Sequence, residues 1–226
     1  MFVDRSWPEN FIFPACAICN GESRESENIL GFLSRLYSAK DSLSEEAQLN
    51  KYIDTLASNY PQEMRSMMGL SVVEKRRAAK NIKLRLPPGY THRDLPVVRL
   101  PKSWVRMVED FGKKLTKAIH FHETGIICSH DGGVWSSFIA NAAEIQSPIN
   151  RDFLAKLGRT HEIQRSNKDL SDQFSYLTER TSDGASAIYV FAFNRSFKLI
   201  CFYDNDGDKV AKFAEQYAQD RGLQDE

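Results

Sequence analysis

Cys16 and Cys19 stand three apart in Pro14-Ala15-Cys16-Ala17-Ile18-Cys19-Asn20-Gly21, a spacing at which a tight turn presents two thiolates to one Zn²⁺. A structural zinc takes four ligands, and no second CxxC or His-rich knuckle lies nearby. A helix starting just after the pair would lower the thiol pKa values through its N-terminal dipole. Asn20 can cap that helix or orient a group beside a metal. The competing reading is two small cysteines in a core or hinge without metal. Spacing alone leaves both readings open.

A second kind of chemistry is concentrated in Lys75-Arg76-Arg77-Ala78-Ala79-Lys80-Asn81-Ile82-Lys83-Leu84-Arg85. Lys75, Arg76, Arg77, Lys80, Lys83 and Arg85 suit contacts to nucleic-acid phosphates, which carry no sequence information. No aromatic residue interleaves with them, which argues against a platform for stacking single-stranded bases. The run sits in a wider asymmetry. The chain is formally neutral, with 30 Lys/Arg and 30 Asp/Glu, yet residues 75–117 hold 13 Lys/Arg against 3 Asp/Glu. The flanking segments are acidic. A polyanion such as DNA, an acidic protein partner, or internal pairing with the flanks would each explain such a belt.

Two further clusters have a simpler explanation. His120 and His122 share a face only in a strand, where Cys128 or His130 could return to join them. The stretch reads instead as a helix C-terminus followed by a turn at Thr124-Gly125. Asp204, Asp206 and Asp208, with Glu215 at the twelfth position, mimic a calcium loop, but Lys209 stands where its turn glycine belongs. Aspartates also suit a turn that opens a helix. No Gly-rich phosphate loop, nucleophile elbow or HExxH is present.

The elements that must position these groups follow from periodicity. The first 22 residues read as an extended arm ending in the CxxC turn. From Glu22 the period is helical, with Ile29, Phe32, Leu33 and Leu36 on one apolar stripe. A second helix starts at Ser42 or Ser44 and carries Leu49, Tyr52, Ile53 and Leu56; shorter helices are expected over Glu63–Met68 and Ser71–Ile82. Prolines 87, 88 and 96 mark a connector. A strong helix then runs from about Pro101 to Gly125, burying Trp104, Val108, Phe111 and Leu115. Strands are expected at Val134–Ile139, Phe174–Thr181, Ala187–Phe193 and Phe197–Tyr203, with their aromatics in the core, and a last helix over Asp208–Ala218.

Trp7-Pro8-Glu9, then Phe13-Pro14-Ala15-Cys16-Ala17-Ile18-Cys19-Asn20 and an acidic, Ser-rich helix, resemble the second half of an HNH-endonuclease-like protein with a four-cysteine zinc knuckle. The resemblance covers only that segment. It implies that Cys16 and Cys19 are the second zinc pair and Asn20 the supporting Asn that follows it. In the family an upstream CxxC completes the zinc site. An Asp-His or Glu-His pair polarises water for metal-assisted phosphodiester cleavage. Both would precede Met1, so the expectation is an N-terminally truncated protein, inactive as a DNA endonuclease in this form. The alternative is a non-catalytic protein-interaction module, a defence or mobile-element accessory.

The expected fold class is α+β: a helical N-terminal half, a small antiparallel sheet and a closing C-terminal helix. The organisation is a half-knuckle arm at 1–22 and one domain at 23–226, helical over 23–125 and mainly sheet over 126–226. No apolar run reaches the roughly 20 residues of a membrane span. The start lacks a secretory pattern and the four cysteines form no disulfide framework, so the cytoplasm is the expected compartment.

Overall fold

The computed structural model describes residues 17–36, 43–81, 86, 88–94, 98–140, 157, 164–165, 168–169, 173–194 and 197–221. The order is α1 (Ala17–Arg35), α2 (Leu43–Asn59), α3 (Pro61–Met68), α4 (Val72–Asn81), α5 (Lys102–Thr124), β1 (Gly133–Ala140), β2 (Gln164–Arg165), β3 (Lys168–Asp169), β4 (Phe174–Arg180), β5 (Ser186–Phe193), β6 (Phe197–Asp204) and α6 (Gly207–Arg221). Helices come first, then sheet, then a closing helix. The fold is α+β.

α1 begins at Ala17, ahead of the Glu22 start that periodicity suggested, so Cys19 and Asn20 lie in its opening turns. Its stripe is buried at Ile29, Phe32 and Leu33, while Leu36, just past the last turn, is 39% exposed. The stripe packs on α2 and α5. Trp104 of α5 is the hub: it is fully buried and meets the edges of Phe32 and Tyr60 at centroid distances of 6.2 and 5.9 Å. Full burial of one such side chain stabilises the fold by about 1.5–3 kcal/mol. Arg35 is buried as well. It pairs with Glu45 of α2 at 3.2 Å and lies over the Tyr52 ring.

The main sheet has the order β1-β6-β5-β4, all antiparallel. β4, β5 and β6 form a meander, and β1 joins it across a long connection by pairing Val134 with Tyr203 and Ser136 with Cys201. β2 and β3 make a separate hairpin that short-range patterning did not announce. Side chains alternate between sheet faces. On one face Phe174, Tyr189, Phe191, Phe193, Leu199 and Cys201 pack beneath α5. On the other, Trp135 and Phe202 take Phe213 and Tyr217 of α6. Gly112 lets α5 approach β1 closely, for a Cβ there would fall 2.1 Å from Ser136 Oγ.

α5 ends at Gly125, whose N–H is donated to the Phe121 carbonyl. Pro101 stands one residue before the helix rather than at its first position. No helix among the described residues is long and apolar enough to cross a membrane.

Candidate functional site

α4 is short and polar, and it is held in place at its first turn. Ser71 and Glu74 form a reciprocal capping box: the Ser71 N–H is donated to Glu74 Oε2 at 2.9 Å, and the Glu74 N–H to Ser71 Oγ at 3.3 Å. Arg99 Nη2 donates to the free side of the same carboxylate at 2.6 Å. The hydrogen bonds from Ser71, reinforced by Arg99, hold Glu74 down to about 2. Ala79 is buried and anchors the inner side.

The outer side of α4 consists of Val73, Arg76, Arg77 and Lys80, at i, i+3, i+4 and i+7, all exposed. Among the described residues Arg76, Arg77 and Lys80 enter no ion pair. Lys75 behaves differently. It is half-buried, and its Nζ donates to the Arg93 carbonyl at 2.9 Å. That bond brings the 88–94 turn to the helix. The turn is internally fixed, because Asp94 Oδ2 accepts from both the Thr91 N–H and its hydroxyl, at 2.9 and 2.7 Å. These bonds from Thr91 hold the Asp94 carboxyl below its ordinary range. Arg93 and Tyr90 are exposed on this turn, Tyr90 at 60%. The structure thus places Lys75, Arg76, Arg77 and Lys80 on one helix; Lys83 and Arg85 lie outside the described residues.

Cys16 also lies outside the described residues, as do the side chains of Cys19 and Asn20. Among the described residues no group of three or more His, Cys, Asp and Glu side chains is placed to hold a metal ion.

The His120 region resolves as a helix end over a polar interior. His120 is fully buried, and its Nδ1 meets the Tyr189 hydroxyl at 2.9 Å. Its ring lies 4.5 Å from that of Tyr203. Nε2 has no hydrogen-bond partner among the described residues. Burial, with Arg180 nearby, keeps the imidazole below its ordinary pKa. Glu123 Oε1 accepts from the Tyr176 hydroxyl at 2.5 Å, and Oε2 from Arg180 Nη1 at 2.9 Å. Burial first, and Glu123 second, push the Tyr176 phenol up.

Cys128 is half-buried beside the Tyr203 hydroxyl, and burial pushes its thiol up, away from the thiolate a nucleophile needs. His130 is fully exposed beside Asp131, and His122 faces outward. Among the described residues these groups do not converge on a reacting centre.

The aspartate loop opens α6. Asp204 Oδ1 accepts from the Asp206 N–H at 2.8 Å, and Asp206 Oδ1 from the Asp208 N–H at 3.0 Å. Glu215 lies in the helix, exposed, so the twelve-residue ligand loop does not form.

Sequence reasoning missed Val73, Tyr90 and Arg93. The exposure of Val73 follows from Ala79 and Lys75 taking the inner side of α4. The placement of Tyr90 and Arg93 depends on a contact between positions 75 and 93 that no local pattern announces.

Comparison of the chain with protein-family models, with curated proteins and with solved structures gave no match.

Proposed function

We propose that the chain is a nucleic-acid-associated protein of the HNH-endonuclease-like kind, which grips phosphates through the outer face of α4. The observation that carries this is the set of three exposed cations, Arg76, Arg77 and Lys80, on one capped helix, with no ion-pair partner among the described residues. Exposed cations that stabilise nothing inside the fold are free to displace counterions from a phosphate backbone. Lys75 supports the site by holding the neighbouring turn, and Lys83 and Arg85 extend the basic run in sequence.

In this reading Cys16 and Cys19 are a pair of zinc ligands and Asn20 supports them. Thiolates three apart suit zinc, which would supply local rigidity when bound. The protein works in the cytoplasm, where such thiols stay reduced. Zinc that copurifies with the chain and is lost on Cys16→Ser supports the knuckle; a metal-free wild type contradicts it.

The binding test is the affinity for a labelled DNA duplex over a salt series, with Arg76→Gln/Arg77→Gln/Lys80→Gln as the comparison. Each lost phosphate contact lowers the log–log salt slope by about 0.9. Equal affinities at low salt for wild type and variant contradict the proposal. A second reading, docking of an acidic protein, draws on Val73, which is 73% exposed among the cations. It predicts that the variant loses a protein partner while duplex binding is weak for both.

A further inference from the structure

Resting on the phosphate-binding reading of α4, we propose that α4 is the recognition helix of a helix–turn–helix unit that reads duplex DNA in the major groove. α3 (Pro61–Met68) and α4 (Val72–Asn81) are joined by three residues, Gly69-Leu70-Ser71. A turn of this length, with its glycine, is the connection found in DNA-binding helix pairs. Met67 is buried on α3 and Ala79 on α4, while Ser71, Val72 and Val73 are all exposed where α4 begins. The first turn of α4 therefore faces outward. In such units the N-terminal residues of the second helix are the ones that meet base edges.

The outer face of α4 has a centre and two flanks. At about 3.6 residues per turn, Val73 and Lys80 fall within about 20° of one line along the helix. Arg76 and Arg77 diverge from that line by about 50°, on opposite sides. A helix about 10–12 Å across fills a major groove about 12 Å wide. Its central line then meets base edges, and its flanks meet the two backbones. Arg76 and Arg77 would each hold phosphates of one strand, and Val73 and Lys80 would read the sequence.

Val73 separates reading from mere gripping. It is 73% exposed at the centre of a cationic face, where phosphates offer it no partner. The methyl group of thymine does, and a lysine ammonium donates to guanine O6 and N7. Val73 and Lys80 are seven residues apart, about 10.5 Å along the axis, or about three base-pair steps of 3.4 Å. With α4 lying along the groove, the face selects a thymine and a guanine about that far apart. Double-stranded RNA does not suit this face, because its major groove is too deep and narrow for side chains to read.

The experiment offers the full chain a pool of randomised DNA duplexes and sequences the bound fraction. Affinities are then measured for the preferred duplex, for one of its single strands and for the RNA duplex of the same sequence. The variants are Val73→Ala, Lys80→Gln and Arg76→Gln/Arg77→Gln, each checked for unchanged circular dichroism. The proposal expects an enriched thymine and guanine, with replacement of either base pair weakening binding about 5- to 150-fold. Val73→Ala should abolish the preference at the thymine alone, and Lys80→Gln the preference at the guanine alone. Arg76→Gln/Arg77→Gln should weaken binding to all duplexes alike. Duplex binding that Arg76→Gln/Arg77→Gln weakens, with no sequence enriched by the wild type, overturns the major-groove proposal and leaves the phosphate reading of α4 standing. Preferences that survive both Val73→Ala and Lys80→Gln, or equal affinity for the RNA duplex or the single strand, also overturn it. If the wild type binds no duplex at low salt, both readings fall.

Discussion

α1 with the residue that follows it, and α4, each present four residues at i, i+3, i+4 and i+7, and the two stripes have opposite fates. In α1 the stripe is Ile29, Phe32, Leu33 and Leu36, and its first three members are buried against α2 and α5. In α4 the stripe is Val73, Arg76, Arg77 and Lys80, and all of it faces water. Spacing creates a face; chemistry decides which way the face turns. α1 is held by what its stripe buries, whereas α4 is held by its cap, by Arg99 and by Ala79, which leaves its stripe uncommitted. Substitutions in the first stripe should therefore affect stability, and substitutions in the second should affect binding.

The largest effect is expected at Phe32. Phe32→Ala removes a buried ring and its edge contact with Trp104, and should destabilise by about 3–5 kcal/mol in urea unfolding. A loss below about 1 kcal/mol would show that the α1 stripe does not carry the helical half.

Next comes the polar interior beneath α5. His120 is buried and its pKa is lowered, so the unfolded chain takes up a proton near pH 6.5 before the folded one does. The stability due to this difference is fully present above the unfolded pKa and is lost as the pH falls toward the folded one, by up to about 1.4 kcal/mol per pH unit. Urea midpoints between pH 7.5 and 5 should fall in the wild type, and His120→Phe should flatten that dependence. An identical slope in the variant would place the acid sensitivity elsewhere.

A smaller loss is expected where α4 starts. Ser71→Ala removes the cap and the main partner of Glu74, and should cost about 1 kcal/mol. It should also lower the protection from hydrogen exchange in α4 while leaving α1 untouched. The smallest stability effect is expected from Arg76→Gln/Arg77→Gln/Lys80→Gln, within about 0.5 kcal/mol per site, since exposed groups without partners leave little behind.

Much of the framework was legible in the chain because its signals are local. The Trp104, Val108, Phe111 spacing marks α5, and alternating residues around Phe191 and Leu199 mark two strands. Ser182-Asp183-Gly184 closes the β4–β5 turn as its composition suggests, with the Ala185 N–H donated to Asp183 Oδ1. What could not be read are meetings between distant segments. β1 pairs with β6 across more than fifty residues, and His120 finds Tyr189 sixty-nine positions away. The 88–94 turn reaches α4 through the Lys75 ammonium, which engages that cation of the basic run inside the fold. The CxxC pair shows the reverse case. Its spacing speaks for a metal, while Cys16 lies outside the described residues.

The central claim is that the α4 stripe is free for phosphate. The direct measurement is the log–log salt slope of nucleic-acid affinity for wild type and for Arg76→Gln/Arg77→Gln/Lys80→Gln. The account predicts a wild-type slope steeper by about 2–3, near the value for three released counterion contacts. The same slope for both proteins would contradict it.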